Sequence, residues 1–508
     1  MGLLILEPTK REGDDHVPGT AFIGAGGAAD CVTTVTGELD PNLKYDLTGD
    51  VPIVLVPQPS DDPNDPLNWP LWERDLITFI LCLVSVSLLL AQTRPYPCAK
   101  HCTVLLIVSS AWGGLASSYK SFLWARILQG VAVCPFETLV NITVGEMYCV
   151  HQLGKRMALA NFSLFGGAFL TPVIVGKITG ELGWQWPFFL VAIITGVMLP
   201  LVVFWVPETT YNRPAHSTLS NQAPRQYTST VPRHSFLQRM YLFNGRKTSE
   251  SPLKLFLRPI VLLLHPAVMW GMLTQGVMIG WTVMIGVVLA AVFIFPPLSF
   301  TEVETGYMYT GAFIGSLAGL AITGPLADWS AKYLSRMNKG IYEPEFRLYL
   351  VIPQAVTGCL GLYMFGVTSS NTTKYGWFWP DFFFALELMG MTMGAVTSAL
   401  YLVDAYPGIA IESFTCLLLF KNFFSFGLTW EAFNWLREAG TKELFIYVAS
   451  VQVAICSLTL PMYFFGKITR DFMHRHDILK MVGLGIEETG GGPGQEGPGI
   501  VMGEAGRR

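Results

Sequence analysis

Apolar residues fall into eleven runs between Leu76 and Phe465, separated by short polar or charged stretches. The runs lie at 76–92, 103–118, 119–146, 157–179, 185–206, 268–295, 304–326, 347–368, 378–402, 410–434 and 443–465. A bilayer core is crossed by about 20 apolar helical residues, so each run predicts one membrane-spanning helix, the first two being the shortest. Backbone groups in lipid must be satisfied within their own segment, and the two-residue alternation of a barrel strand is nowhere visible. The pattern therefore predicts an all-α membrane protein, a helical bundle. The apolar stretch from Ile260 to Phe295 is long enough for two spans, but His265-Pro266 predicts the end of a short interfacial segment, and the flanking loops demand a single crossing.

Excess Lys and Arg marks the cytoplasmic side of a membrane protein. The stretch after Phe204 carries Arg213, Arg225, Arg233, Arg239, Arg246, Lys247, Lys254 and Arg258, which places it inside. Lys155 with Arg156, the group Lys332, Arg336, Lys339 and Arg347, and the tail with Lys467, Arg470 and Arg475 read the same way. The intervening loops hold Glu181, then Glu302 and Glu304, then a lone Lys374, and read as external. Asn371-Thr372-Thr373 supplies a glycosylation acceptor on that side, whereas the sequons at Asn141 and Asn161 fall inside apolar runs and read as chance. One place breaks the alternation. With a cytoplasmic amino terminus, the run 76–92 ends outside, yet Arg94, Lys100 and His101 precede the next run as internal charges would. A crossing is missing between Gln92 and Arg94. A coding segment lost from the gene or a real deletion accounts for it; an interfacial first segment and an external amino terminus are the alternatives.

Composition agrees with this picture. Of 508 residues, 51% are hydrophobic and only 14% charged, with a mean hydropathy of +0.43, too apolar for a soluble protein of this size. The nine Cys show no paired CxxC, so a disulfide framework is not expected. Cys98, His101 and Cys102 lie close together, but a fourth ligand is not evident and no metal is assigned. There is no GxxxxGK[ST] phosphate loop and no HExxH, which leaves ATP-driven transport and zinc hydrolysis without support. No enzymatic activity and no cofactor are expected. The polar, Gly- and Asp-rich residues 1–75 predict a disordered cytoplasmic tail, and the Gly-rich end of the carboxyl-terminal stretch 467–508 reads likewise.

The basic linker at 207–267 divides the chain into an amino-terminal half, 76–206, with five visible spans, and a carboxyl-terminal half, 268–466, with six. Several motifs carry a family resemblance. "DDPNDPLNWPLW" (Asp61 to Trp72), "FLWARILQG" (Phe122 to Gly130), "GPLADW" (Gly324 to Trp329) running on through "RMNKGIYEPEFRL", "LVDAYP" (Leu402 to Pro407) and "LLFKNFFSFGLTW" (Leu418 to Trp430) resemble the major facilitator superfamily, in its fungal drug:proton antiporter-like branch. The resemblance covers about Asp61 to Asp477. It implies two six-helix halves related as repeats, with a solute site at their interface. Two departures stand out. The loop motif of Gly, Asp and basic residues that follows the family's second helix is reduced to "TRPYPCAK" (Thr93 to Lys100), so the absent span matches that second helix. The fifth-helix Gly-Pro of antiporters is replaced by Thr171-Pro172 within "GGAFLTPVIVGKITG", which weakens antiport as a reading.

Ionisable groups inside spans are costly and are functional candidates by default. Arg126, Glu137, Glu387 and Lys421 qualify. Arg126 and Glu137 share a helix face, within about 20° and about 16 Å apart along the axis, with Gly130 and Val133 between them. The resemblance places Arg126 at the fourth-helix proton-coupling position; a structural Arg reaching the outer interface is the alternative. Glu137 suits a proton carrier or cation ligand, with Asn141 one turn on as a hydrogen-bonding neighbour. Glu387 is followed at helical spacing by Met391, Gly394 and Ser398, a face small and polar enough to line a cavity. Lys421, with Ser425 and Thr429 below it, is expected near enough to Glu387 for the two to exchange partners; a static pair is the alternative. Gln275, Met278 and Thr282 form a further polar and adaptable face, with core packing the plainer reading of Met278. Asp328 and Asp404, at cytoplasmic helix ends, match the family's gating carboxylates or are ordinary caps.

The expected function is secondary active, proton-coupled transport of a small organic solute by alternating access. Two intramembrane carboxylates admit a cationic, drug- or polyamine-like solute. The competing reading is a non-transporting or inactive truncated membrane protein of the same fold. The partners expected are the solute, protons and membrane lipid, with no nucleic acid, for a monomer in the plasma membrane.

Overall fold

The computed structural model describes residues 3–7, 17, 20–22, 44–46, 53–55, 59–60, 62–88, 97–205 and 251–485. The amino-terminal half holds α1 (Leu71–Leu88), α2 (Pro97–Leu115), α3 (Tyr119–Met147), α4 (Val150–Leu182) and α5 (Trp186–Trp205). After the linker, α6 (Pro252–Leu262) leads to α7 (Pro266–Gly271), which passes through a π turn at Met272–Gly276 into α8 (Val277–Ile294). The remaining helices are α9 (Glu302–Tyr307), α10 (Tyr309–Met337), α11 (Val351–Ser369), the short α12 (Thr372–Tyr375), α13 (Phe378–Ala405), α14 (Ala410–Ser457), α15 (Thr459–Arg475) and α16 (Ile478–Met481). Among the described residues six helical stretches are long and apolar enough to cross a membrane, and Val104–Leu115 and Trp186–Pro200 are shorter apolar helices.

Local signals set the boundaries. Ser118 caps α3 by accepting from the Ser121 amide, and Thr301 with Glu304 forms a capping box that opens α9. Two apolar runs, 410–434 and 443–465, were expected as separate helices, and α14 is indeed two helical arms divided at Gly440 (φ 72°, ψ 161°), whose backbone is non-helical and would strain a side chain. His265 does end the preceding segment. It occupies the N-cap position of α7, and residues 266–294 form one helical stretch long and apolar enough for the single crossing that the loop charges required.

The halves pack as repeats. In the carboxyl-terminal half α8 lies on the first arm of α14 (residues 410–439), α11 lies on α13 and the second arm of α14 (441–457), and α10 is wedged between α13 and α4. In the amino-terminal half α1 lies on α4, and α2 lies on α3 and α5. The seam between halves runs along α4 and α10, where small residues let the backbones approach. A Cβ on Gly324 would stand 3.2 Å from Lys155 Cα and 3.4 Å from Ala158 Cβ, and one on Gly306 would stand 3.1 Å from the Pro172 carbonyl oxygen. Lipid offers little drive for helix association, so such close contacts supply the packing energy.

Pieces of the stretch expected to be a disordered tail are seated on the carboxyl-terminal half. Leu6 N donates to Phe464 O at 3.0 Å, Ile5 is buried among Ala331, Leu334, Tyr342 and Phe346, and Ala21–Phe22 pairs antiparallel with Ile341–Tyr342.

Candidate functional site

The most enclosed ionisable group among the candidates is Glu387, near the middle of α13 and fully buried. Glycines create its seat: a Cβ on Gly361 of α11 would lie 2.7 Å from Glu387 Cα, so the two backbones nearly touch. The Thr282 hydroxyl on α8 lies 2.8 Å from Glu387 Oε1 and 3.1 Å from Met278 O. One hydroxyl proton serves one of these acceptors. Thr282 either donates to a Glu387 carboxylate, or donates to Met278 O and accepts from a protonated Glu387. Glu387 Oε2 is buried and has no hydrogen-bond partner among the described residues.

About three turns toward the cytoplasm, Ser398 Oγ donates to Gln275 Oε1 at 2.6 Å, and Gln354 Nε2 donates to Thr274 O at 3.4 Å. Gln354 Oε1 and Thr274 Oγ1 are buried without hydrogen-bond partners among the described residues. The face Glu387, Gly394, Ser398 therefore turns into the carboxyl-terminal half, against α11 and the π turn, instead of lining an open cavity. The expectation of a cavity face is corrected by the glycines: Gly390 and Gly394 let α11 close over it, with Gln354 against Gly394. Met278 is buried, its methyl group against Gly358, a packing role.

Glu387 and Lys421 are not paired. Among the described residues Glu387 bonds to Thr282 through Oε1, while Lys421 is half-buried on α14, its Cα 3.7 Å from where a Cβ on Gly276 would stand. The sequence placed both near mid-span on neighbouring runs, but α8 and the π turn intervene. Arg126 is exposed on α3, its guanidinium 4.5 Å from the Phe188 ring centre and 5.3 Å from that of Phe122, with a long 3.4 Å contact to Gln129 Oε1. Such cation–π seats are worth about 0.5–1 kcal/mol when exposed. The side chains of Glu137 and Asn141, and those of Cys98, His101 and Cys102, lie outside the described residues. Among the described residues no cluster of His, Cys, Asp or Glu could hold a metal.

The cytoplasmic ends form a second centre. Asp328 accepts from the Gly154 amide at 2.9 Å, so a carboxylate of one half sits at the amino-terminal turn of α4 in the other, where the helix dipole favours negative charge. Asp328 was expected at a helix end; α10 instead runs on to Met337, which places it inside the helix. Asp404 closes α13 and accepts from Arg347 Nε at 2.8 Å and from the Tyr342 hydroxyl, while Arg347 Nη1 donates to Ala327 O at 2.9 Å. Burial pushes the Tyr342 phenol well above its ordinary value. Sequence reading missed the neighbouring network, in which Arg470 donates to Glu345 at 2.7 and 2.9 Å and to Glu343 at 2.8 Å, with Lys467 on Glu343 at 2.6 Å. Two acidic residues flanking Pro344 inside a basic loop were the available signal. At the entrance of α1, Asp75 meets Arg156 at 2.9 Å and Tyr148 at 2.9 Å. Partial burial opposes its charge, yet these hydrogen bonds hold its carboxyl below the ordinary value.

Asn371 is exposed and caps α12 by accepting from the Lys374 amide, whereas Asn161 is buried and donates to Met157 O, which removes it as a glycan acceptor.

The family model of the Major Facilitator Superfamily matches residues 101–411, more than half the chain. The chain belongs to the Major Facilitator Superfamily. Protein HOL1 of Saccharomyces cerevisiae is 23% identical, with 91% of this chain and 96% of that protein covered. That alignment runs over 583 positions, more than the 508 residues present here, so the relative carries residues without a counterpart. An MFS-type transporter of Schizosaccharomyces pombe (C1271.10c) is 23% identical over 84% of this chain and 89% of its own length. The MFS transporter cpaT of Aspergillus oryzae is 24% identical over 77% and 76% respectively. The protein is thus a multi-pass membrane protein of a transporter family whose members handle small-molecule solutes, with an all-α helical fold.

Proposed function

We propose that this superfamily member is a secondary active transporter that moves a small organic solute by alternating access and couples that movement to protons through Glu387. The observation that carries this reading is the fully buried carboxyl with one oxygen unpartnered and the other sharing a single hydroxyl with Met278 O. Each protonation state has its own hydrogen-bond arrangement, so gain or loss of a proton changes how α8 is held to α13. Asp328 and Asp404 serve as cytoplasmic gating contacts, since breaking the Asp328–Gly154 bond frees one half from the other at that end. Glu137 favours a cationic solute, drug- or polyamine-like, with Asn141 and Lys421 as polar contacts and Arg126 as a second coupling group. A monomer in the plasma membrane, glycosylated at Asn371, completes the proposal.

The test is uptake of labelled organic cations by a transporter-deficient host, with and without an imposed proton gradient. Glu387→Gln is expected to abolish gradient-driven accumulation while preserving solute exchange at normal surface abundance. Unchanged gradient dependence in that variant refutes the assignment. A non-transporting product is the second reading, favoured by the eight-residue junction between α1 and α2.

A further inference from the structure

Leu3-Leu4-Ile5-Leu6 is a short apolar run just ahead of the charged residues Glu7, Lys10 and Arg11, and it is seated on the carboxyl-terminal half. Its backbone lies along α15: Leu6 N donates to Phe464 O at 3.0 Å, and the Tyr463 hydroxyl donates to Leu3 O at 3.0 Å. Ile5 enters a pocket formed by Ala331 and Leu334 of α10 with Tyr342 and Phe346 of the loop that follows. A second contact falls on the same loop. Ala21–Phe22 adds a strand to Ile341–Tyr342, with Ala21 opposite Tyr342, and Thr20 Oγ1 donates to Glu343 Oε2 at 2.7 Å. Strand addition takes affinity from backbone hydrogen bonds and specificity from side-chain pockets, and the loop offers both.

Tyr342 belongs to both contacts and to the cytoplasmic gate. Its side chain walls the Ile5 pocket, its backbone pairs with Ala21, and its hydroxyl donates to Asp404 while accepting from Arg347 Nε at 2.9 Å. Arg347 also donates to Ala327 O at 2.9 Å, and the next residue of α10, Asp328, accepts from the Gly154 amide of the other half. A contiguous set of contacts therefore runs from the docked tail, through Tyr342 and Arg347, to a bond between the halves. Tyr342 and Arg347 are 1% and 0% exposed, so a displaced loop would leave their polar groups buried without partners.

We propose that residues 3–7 and 20–22 form a latch in cis that holds the cytoplasmic gate shut by fixing the loop that carries Tyr342 and Arg347. The latch rests on the reading of Asp328 and Asp404 as gating contacts. A docked segment shifts a conformational equilibrium only as far as it prefers one state, and here the preferred state is the one in which Tyr342 reaches Asp404. By linkage, opening of the gate weakens docking as much as docking opposes opening. Release of the tail is thus a control on transport separate from proton gain at Glu387.

The test is labelling of Ala158→Cys in the full chain, in inside-out vesicles exposed to a membrane-impermeant maleimide, with the modified positions read by peptide mass spectrometry. Ala158 is 0% exposed on the α4 side of the seam, facing Gly324, so a thiol there reacts when the halves part. Ile5→Asp and deletion of residues 1–22 are each expected to raise the labelling rate several-fold, with the buried Cys359 and Cys456 unchanged. A disulfide between Phe22→Cys and Ile341→Cys, opposed across the strand pair, is expected to lower the rate below that of the unlinked protein, and reduction to restore it. Asp328→Ala, which removes the bond between the halves directly, is expected to raise labelling with the tail still docked. Unchanged labelling after the deletion, or a disulfide without effect, overturns the latch; the gating reading survives that result if Asp328→Ala still raises labelling and falls with it if Asp328→Ala does not. A parallel rise at Cys359 and Cys456 also overturns the latch, because the tail would then be a brace for the fold of the carboxyl-terminal half.

Discussion

Replacing Arg470 by Met tests the buried cytoplasmic network. Arg470 is 1% exposed and spreads its guanidinium over Glu345 and Glu343, themselves 0% and 3% exposed. After the substitution Glu343 keeps Lys467, at 2.6 Å and nearer solvent, so the loss falls on Glu345, which forfeits both of its Arg470 contacts. Stranding one buried partner of an ion pair costs about 3–5 kcal/mol, whereas replacing both partners together is often close to neutral. Arg470→Met is therefore expected to destabilise the folded protein by about 3–5 kcal/mol. Glu345→Gln leaves Arg470 bound to Glu343 and is expected to cost about 1–3 kcal/mol. The double variant should recover about 2 kcal/mol relative to Arg470→Met alone, because the stranded carboxylate is gone. Unfolding in a detergent titration, followed by tryptophan fluorescence, gives all four free energies of the cycle. A loss under about 1 kcal/mol for Arg470→Met, or no recovery in the double variant, refutes the view that Glu345 depends on Arg470.

His265 supplies a pH prediction. It is buried beside Tyr406, its ring centre 4.6 Å from that ring, and burial lowers its pKa from 6.5 to about 4 while the Asp477 charge pulls the other way. A lowered histidine pKa contributes stability that is complete above 6.5 and lost as pH falls below it. Linkage gives a loss of about 2 kcal/mol between about pH 8 and about pH 5, and His265→Phe should flatten that part of the stability profile; an unchanged profile in the variant refutes the assignment. The seated amino-terminal segment is testable through Ile5, 2% exposed. Ile5→Asp forfeits about 2 kcal/mol of apolar burial, about a 30-fold shift toward the undocked tail, which faster proteolysis before α1 would report. Equal protection in the variant would mean that Ile5 does not hold the tail.

Much of the helical layout was readable because lipid forces each crossing to be a long apolar helix, and the charge asymmetry of the loops predicted a single crossing at 266–294, where the structure has one helical stretch long and apolar enough to span a membrane. What was not readable depends on which way each helix is turned. Glu387 and Lys421 both sit near mid-span in the sequence, but the rotation set by Gly361, Gly390 and Gly394 points Glu387 at Thr282, away from Lys421. Glycine marks where helices approach; it does not mark which neighbour approaches, and that is decided by packing in three dimensions. The cytoplasmic network was hidden for a related reason. Glu343, Glu345 and Arg470 are ordinary loop and tail charges in a linear count, and only the return of α15 over the 338–346 loop buries them together.

The junction between α1 and α2 behaves differently, because there two independent physical rules meet at one point. Charge alternation asks for a crossing between Gln92 and Arg94 from the distribution of Arg and Lys alone. Helix direction asks for the same crossing from the contacts Arg74–Met147 and Ser110–Gln129, which make α1 and α2 parallel.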